Sequence, residues 1–295
     1  EEGGGIHNTM NSTSNSTDEQ LTDDTLNRLK RHFQEGVLTC EVKSGYAPNL
    51  EDEVRMLRII NEIDSSNDID LIPTCLAAHV TPKKYESSKK YLDSIINDLL
   101  PIIKEENLSN RVDIFIEEKA FSITEASNFL EKIKSDFYIT AHTNQFTSGG
   151  LKVGVDNGAV SVDHLEVITD QEIDYLSKSD TTGVVLPGCS LGLGIPFAPA
   201  RKLLDYNCKV SIASDWNPGS APMGDLLMQA SLLGSTEKLS NAEVLAGITC
   251  RAANALSLED RGSLENGKIA DMIGFKTNDF RDILYNQGKL KPSFI

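Results

Sequence analysis

The sequence is short of basic residues and of long apolar runs, and each shortage excludes a class of protein. Its 295 residues include 28 lysines and arginines against 44 aspartates and glutamates, for a net charge of −16. This balance argues against nucleic acid as a partner, because nucleic-acid binding needs a basic surface. No apolar run approaches the roughly 20 residues that span a bilayer, so no membrane partner is expected. A hydrophobic share of 39% is typical of a globular chain with a sizeable core.

The cysteines and the opening residues also lack recognisable patterns. Its five cysteines form no Cys-x-x-Cys pair, which predicts free thiols in a reducing cytoplasm. The opening residues, Glu1 to Gly5, lack the basic flank and apolar core of a signal peptide. Because there is no initiator methionine, we expect the chain to begin inside a longer one. Residues 1–18 are rich in Gly, Ser, Thr and Asn and are expected to form a loop.

Short β-rich segments alternate with helical segments along most of the chain. The predicted strands span residues 37–42, 70–78, 112–116, 137–141, 159–162, 182–186 and 209–213. This alternation predicts βα units and a parallel α/β sheet. Seven strands are one fewer than a closed (β/α)₈ TIM barrel needs, so we predict such a barrel without its first strand. Residues 259–295 break the rhythm and are expected to form a small C-terminal β appendage, with a strand inside 261–275.

One of the predicted helical segments is long. Residues 83–106 read as one helix that is interrupted or kinked at Pro101, because proline has no amide hydrogen to donate. Residues 240–255 also read as helix. An earlier helix is expected to run from about Asp18 to Glu35, where Gly36 follows as a stop signal.

Polar side chains stand at the ends of the predicted strands, where a βα barrel places its chemistry. His79, His142 and His164, three of the five histidines, each close a strand, and Asp215 ends the last one. Neutral imidazoles with a carboxylate bind Zn²⁺ or iron and leave a position for water. A lone histidine there more often bonds a loop, and a lone aspartate more often starts a turn. Their convergence on one barrel mouth favours a metal or acid–base site.

Other polar candidates are interpreted as structural. His7 and His32 lie in the first loop and first helix and are expected to be structural or exposed. Glu117 and Glu118 follow a strand, and one is expected to face solvent while the other anchors a loop.

Several motifs of the chain resemble those of the imidazolonepropionases in the amidohydrolase superfamily. The matching segments include Lys43-Ser44-Gly45-Tyr46, His142-Thr143-Asn144-Gln145, Ser161-Val162-Asp163-His164-Leu165-Glu166 and Ser214-Asp215-Trp216-Asn217-Pro218-Gly219-Ser220. The resemblance implies hydrolysis of the cyclic amide of 4-imidazolone-5-propanoate to N-formimidoyl-L-glutamate in histidine degradation. It also implies one Zn²⁺ or Fe³⁺ ion that activates the attacking water.

The resemblance implies a role for each motif residue. It makes His142 and Asp215 the metal ligands, and Asp215 and His164 the catalytic residues. The implied substrate contacts are Tyr46, His79, Gln145, Asn217, Gly219 and Ser220. It further implies a homodimer, a metal-dependent hydrolase barrel over 1–258, and a remnant of a β-sandwich domain over 259–295. Lys43 is either an anchor for the propanoate or the partner of a nearby acid.

The chain departs from the family pattern at two places. No His-x-His, the family's metal motif on the first barrel strand, occurs in the sequence, nor does the arginine that follows it. Gln145 stands where many relatives carry an acid, so we assign it to binding and not to proton transfer. Two rival functions stay open: a related cyclic amidohydrolase or deaminase with another substrate, and an inactive barrel that binds a ligand or partner.

Overall fold

A seven-stranded parallel sheet forms the centre of the computed structural model, which describes residues 5–64 and 68–295. Its strands are β1 (Thr39–Lys43), β2 (Asp70–Ala78), β3 (Arg111–Ile116), β4 (Tyr138–Thr143), β5 (Ser161–His164), β6 (Thr182–Val185) and β7 (Lys209–Ile212). Spatial order follows chain order, and every neighbouring pair is parallel. Within the described residues the sheet ends at β1 on one side and at β7 on the other. The seven predicted strands are confirmed.

Helices connect the strands. They are α1 (Ile6–Asn15), α2 (Asp18–Gln34), α3 (Leu50–Asp64), α4 (Ser88–Ser94), α5 (Leu100–Glu105), α6 (Ile123–Ile133), α7 (Gly150–Asp156), α8 (Asp170–Ser177), α9 (Pro187–Leu193), α10 (Ala200–Asp205), α11 (Leu226–Thr236), α12 (Asn241–Gly247), α13 (Cys250–Ala255) and α14 (Arg281–Tyr285). A capping box starts each of the helices α2, α6, α8 and α12. In this motif a Ser or Thr side chain accepts from the backbone amide three residues later, and the Glu or Gln there accepts from the amide of the Ser or Thr.

The two faces of the sheet carry different residues. In β3, Val112, Ile114 and Ile116 are buried in the main apolar cluster with residues of α6. Asp113 alternates with them and therefore points to the opposite face, since successive strand residues face opposite sides. The sheet thus has an apolar outer face under the helices and a polar inner face.

Contacts across the inner face show that the sheet is curled. Lys43 ends β1, yet its Nζ lies 2.6 Å from Asp113 on β3 and 2.7 Å from Asp163 on β5. Neighbouring strands lie about 4.8 Å apart, so β1 and β5 of a flat sheet would be roughly 19 Å apart. A lysine side chain cannot span that distance. The fold is therefore the curled sheet of an incomplete (β/α)₈ barrel.

The two ends of the sheet are brought together by α2. The His32 ring packs edge-on against the Trp216 ring, with ring centroids 4.8 Å apart, and the Arg31 guanidinium lies 4.7 Å above the same indole. Arg31 also donates a hydrogen bond to the carbonyl of Met223. Because α2 leads into β1 and Trp216 follows β7, these contacts form a seam between the two edges. His32 is buried and His7 is exposed, as predicted.

The expected loop at the start of the chain is wrong over most of its length. Residues 1–4 lie outside the described residues, but α1 covers ten of those that follow. Met10 is buried, and the Ser14 hydroxyl donates to the Asp52 carboxylate at 2.8 Å. Tertiary packing of this kind supplies most helix stability in proteins and outweighs the weak local signal.

The helices predicted over 83–106 and 240–255 are each divided. Residues 83–87 are not helical, and Ser87 caps α4. A π-helical turn over Ile95–Leu99 follows, in which the Leu100 amide donates to the Ile95 carbonyl. This turn ends at Leu99, two residues before Pro101, so the predicted interruption of the helix is confirmed. The predicted helix over 240–255 is split between α12 and α13.

The strand expected inside 261–275 is wrong. The described residues there form one isolated antiparallel bridge between Gly274 and Phe294, followed along the chain by α14. Arg261 fixes the segment to the barrel by donating to Thr39 Oγ1 at 3.0 Å and by pairing with Asp70. The division of the chain at residue 258 stays a prediction. Among the described helices, none has both the length and the apolar character needed to cross a membrane.

Candidate active site

Lys43 is the central cation of the inner face. Besides the carboxylates of Asp113 and Asp163, Glu41 lies 3.6 Å from its Nζ. Burial opposes the charge of Lys43, but these carboxylates raise its pKa well above the usual value. Burial likewise opposes the charge of Asp113, yet His142 and Lys43 hold the pKa of that carboxyl well below its usual range. Of the two roles considered for Lys43, the structure therefore shows the pairing with nearby acids.

His142 is oriented by Asp113. Its Nδ1 lies 3.0 Å from the Asp113 carboxylate. Because a carboxylate only accepts, Nδ1 carries the proton and the lone pair is left on Nε2. Metal-bound histidines commonly have this carboxylate partner on the other nitrogen. The donor chemistry of His142 therefore fits a metal ligand.

Aromatic rings form a row across the barrel mouth. The centroid distances are 5.5 Å from Tyr46 to His79, 6.1 Å from His79 to His142, and 5.2 Å from His142 to His164. His79 Nδ1 lies 3.3 Å from the Gly45 carbonyl, which can only accept, so Nδ1 is the donor. Burial, reinforced by His142, lowers the pKa of His79 to about 3. His79 is therefore neutral and has a free acceptor at Nε2.

Backbone conformation at three strand ends directs side chains into this mouth. Asn144, His164, Leu165 and Asp215 have φ values of 55°, 85°, 72° and 46°. Such left-handed conformations cost a non-glycine residue on the order of 1–3 kcal/mol and cluster at functional sites. At His164 the turn breaks the strand alternation, so that Asp163 and His164 both face the interior.

Asp215 lies close enough to these rings to interact with them electrostatically. Burial raises the pKa of Asp215, against the pull of the neighbouring His164 and His142. Burial and the Asp215 carboxylate together raise the pKa of Tyr46 to about 12, which keeps its phenol protonated and able to donate. The structure thus brings His142, His164 and Asp215 to one rim, with Tyr46 beside them.

The loop after Asp215 is held by its own side chains. The Asn217 carbonyl oxygen accepts from the amides of Gly219 and Ser220, both at 2.8 Å, and its amide nitrogen donates to the Ser220 hydroxyl at 3.0 Å. Gly192 of α9 touches this loop, since a Cβ built there would lie 1.7 Å from the Ser220 carbonyl oxygen. The substrate contacts expected of these loop residues stay predictions.

Gln145 is buried, and its amide points to Cys189, where Nε2 donates to Sγ at 3.2 Å. Its backbone amide and that of Phe146 donate to one oxygen of Glu117, at 3.0 and 2.9 Å. Glu117 is therefore the loop anchor, and Glu118 is exposed, as expected of this pair.

Three residues near the rim were not assigned to the site from the sequence: Asp113, Glu166 and Cys189. Asp113 had a usable signal, because Arg111 and Asp113 are the only charged positions in an otherwise apolar strand. For Glu166 and Cys189 the signal was weaker, since a single acid after a strand and a single cysteine are both common in structural positions.

The chain is similar to known proteins over nearly its whole length. The model of the Amidohydrolase family matches residues 113–294. An imidazolonepropionase from Caldanaerobacter subterraneus subsp. tengcongensis is 37% identical over 292 residues, which cover 97% of this chain and 70% of the relative. One from Christiangramia forsetii is also 37% identical, covering 98% of this chain and 74% of the relative.

Solved structures share the fold at low sequence identity. A zinc-bound adenosine deaminase from Xanthomonas campestris superposes with a TM-score of 0.71 at 16% identity, covering 95% of this chain and 68% of that one. A crystal structure of an amidohydrolase gives a TM-score of 0.70 at 12% identity, covering 98% and 81%. The chain therefore belongs to the amidohydrolase family and, within it, to the imidazolonepropionases.

Proposed function

We propose that this chain is a hydrolase that opens the cyclic amide of 4-imidazolone-5-propanoate to N-formimidoyl-L-glutamate, in the degradation of histidine. The observation that carries the proposal is the meeting of His142, His164 and Asp215 at one rim, in a chain 37% identical to imidazolonepropionases over 97% of its length. The substrate is a small molecule. A cytoplasmic location and a homodimer are further parts of the proposal, and the five free cysteines support a reducing compartment.

A metal ion fits the donor set at this rim. His142 has a free Nε2 and a buried carboxylate behind it, and Asp215 adds an anionic oxygen, so these two residues would hold the ion, Zn²⁺ or Fe³⁺. When bound, such an ion polarises a carbonyl and lowers the pKa of a water molecule.

The protein side chains move the proton, stabilise the developing charge and orient the substrate ring. Asp215, whose pKa is raised by burial, accepts the proton of the attacking water and returns it to the ring nitrogen. His164 donates to the developing charge on the carbonyl oxygen. Tyr46 and His79 lie side by side and orient the ring, one as donor and the other as acceptor. Gln145, Asn217, Gly219 and Ser220 are proposed to contact the polar edge of the substrate.

The propanoate anchor is not Lys43 in this proposal. Its charge is already compensated by Asp113 and Asp163, so it has little attraction left for a substrate carboxylate. Uncharged donors near the mouth are the better candidates for that contact.

The test is an assay of the purified chain, supplied with Zn²⁺ or iron, on 4-imidazolone-5-propanoate and on other cyclic amides and amino-substituted rings. His142→Ala and Asp215→Asn are each expected to lower turnover at least about 100-fold, whereas His7→Ala, at an exposed residue, leaves it unchanged. Wild-type rates in either site variant contradict the assigned roles. A preference for another ring contradicts the assigned substrate.

The second candidate is a barrel that binds a ring-shaped ligand without hydrolysing it. The rim favours it in one respect, because His142 and Asp215 supply two ligands and a hydrolytic zinc centre usually has at least three from protein. Two measurements separate the candidates. The measurements are metal content and turnover. An enzyme retains metal at the His142–Asp215 rim and hydrolyses the substrate, whereas the inactive barrel binds the ring but retains no metal and hydrolyses nothing.

A further inference from the structure

A second group of ligand-type side chains lies beside the rim. Ligand atoms of His164, Glu166 and Cys189 all lie within 4.8 Å of one another. His164 is 3% exposed, Cys189 is 0% exposed, and the Glu166 side chain is 1% exposed. A thiol, an imidazole and a carboxylate are thus gathered in a space from which water is nearly excluded. The function proposed above uses only one of the three.

Two atoms that face each other in this group make no hydrogen bond. His164 Nδ1 and Glu166 Oε2 are buried without a hydrogen-bond partner. They are 3.6 Å apart, which is too long for a hydrogen bond. Two ligands of a tetrahedral zinc ion with bonds of about 2.1 Å are roughly 3.4 Å apart. A cation between them would coordinate both atoms, which are otherwise buried without a hydrogen bond.

Cys189 and Glu166 each accept a hydrogen bond from a neighbouring side chain. Gln145 Nε2 donates to Cys189 Sγ at 3.2 Å, and the Ser190 hydroxyl donates to Glu166 Oε1 at 3.0 Å. Metal ligands are commonly fixed by such outer hydrogen bonds. The donors occupy the outer lone pairs of the sulfur and the carboxylate and leave Oε2 of Glu166 for an ion.

The neighbouring group of Asp113, His142 and Asp163 differs in this respect. Its ligand atoms also lie within 4.8 Å of one another, but Lys43 already lies between the two carboxylates. In that group a lysine ammonium lies between the carboxylates, whereas in the group at Cys189 the facing atoms are His164 Nδ1 and Glu166 Oε2, at the longer distance of 3.6 Å.

We propose that His164, Glu166 and Cys189 form a thiolate site for a divalent ion such as Zn²⁺, separate from the ion assigned to His142 and Asp215. The ligand set suits zinc, which accepts sulfur, nitrogen and oxygen together. Binding replaces the proton of the Cys189 thiol and any proton on His164 Nδ1, and both are released to solvent. Coordination at Nδ1 leaves the remaining proton on Nε2, which fixes His164 as a neutral donor.

The test uses Co²⁺ alone as the probe on the full chain. Cobalt bound to thiolate has a charge-transfer absorption in the near ultraviolet, which nitrogen and oxygen ligands do not give. The band is expected to saturate at one equivalent in the wild type, to be lost in Cys189→Ser, and to persist in Cys208→Ser. Cys208 is a matched control because it is also buried, with Sγ 3.6 Å from the Ile173 carbonyl. No band in the wild type, or an unchanged band in Cys189→Ser, overturns the proposal.

Two further measurements avoid dependence on how Cys189→Ser folds. X-ray absorption of the zinc-loaded wild type is expected to show a sulfur contribution at about 2.3 Å, and a shell of nitrogen and oxygen alone contradicts the site. Glu166→Gln, which keeps the shape of the side chain, is expected to weaken Co²⁺ binding about tenfold or more while retaining the band. None of these readouts requires turnover. If the chain hydrolyses the substrate but shows no cobalt–thiolate band, only the site at Cys189 is refuted. If the chain shows the band but no hydrolysis, only the proposed function is refuted.

Discussion

Asp113 and Glu53 are both fully buried acids, but they lie on opposite sides of the sheet and behave differently. Asp113, on the inner face, contacts Lys43 and His142, and its pKa is held well below the usual range. Glu53, on α3, is 1% exposed and accepts from the Gly45 amide at 3.2 Å. Burial raises the pKa of Glu53 to about 7, in spite of hydrogen bonds from Ser44 and Gly45.

The comparison separates burial from pairing. Burial alone favours the neutral form of a carboxyl, and neutral donors offset this only in part. A cation in contact reverses the outcome. On the inner face, Asp113 can therefore stay charged behind His142 because Lys43 lies beside it. On the helix side, Glu53 has no such cation in contact among the described residues and is partly neutral near pH 7.

Removal of the inner cation is expected to have the largest effect. Lys43→Met leaves Asp113 and Asp163 buried without their counter-charge, which should lower the free energy of unfolding by about 3–5 kcal/mol. Urea denaturation measures the change. Lys152→Met removes an exposed partner of Asp156 and is the matched control, with wild-type stability expected. If both variants unfold at the same urea concentration, the inner network contributes no more than a surface pair.

A smaller effect on the free energy of unfolding is expected at Glu53. It should fall as the pH rises, whereas the contribution of a paired acid is lost as the pH falls. Its folded pKa of about 7 exceeds its value in the unfolded chain, so the folded state holds this proton more tightly. This stabilisation is complete below about pH 4.5 and is lost as the pH rises through 7. Relative to Glu53→Gln, the wild type should lose on the order of 2–3 kcal/mol between pH 5 and pH 8.

Urea denaturation of the wild type and Glu53→Gln at several pH values gives this difference directly. Glu51→Gln, at an exposed position on the same helix, should keep the wild-type pH profile. A constant difference between the wild type and Glu53→Gln across the range would show that the acid is not held neutral.

The smallest of the three effects concerns metal affinity. Asp113→Asn keeps the shape behind His142 but removes the charge that fixes its proton on Nδ1, so Zn²⁺ binding should weaken about 10- to 100-fold. Competition with a chelator, in a Cys189→Ser background that removes the second proposed site, measures it. Glu53→Gln is the control and should bind as before. Equal affinity in Asp113→Asn would mean that His142 is oriented by something else.

The strands were predictable because each is a short β-rich segment between clear turn and helix signals. The helix α1 was not, because its segment is polar and is stabilised by contacts made elsewhere, through Met10 and through Ser14 to Asp52. The wrong prediction of a strand inside 261–275 has the opposite cause, since here the local signal was present and a partner strand among the described residues was not. Its residues have suitable local preferences but find one bridging partner, Phe294, and no ladder.

The rim was predictable for a geometric reason. Carboxyl ends of parallel strands meet at one edge, so His79, His142, His164 and Asp215 could be grouped before any distance was known. Asp113 lies within a strand, and its role depends on how strongly the sheet curls to bring Lys43 from β1. The grouping of His164, Glu166 and Cys189 depends on the left-handed turn at His164 and Leu165, which a sequence pattern does not encode.

The seam between α2 and the loop after β7 has an optical consequence. Trp216 is the only tryptophan in the chain, and it lies against His32 and Arg31 next to Asp215. The indole fluorescence of this chain therefore arises from one place, where the two borders of the sheet come together. Parting of those borders would register as a change in emission colour and intensity, without any added dye.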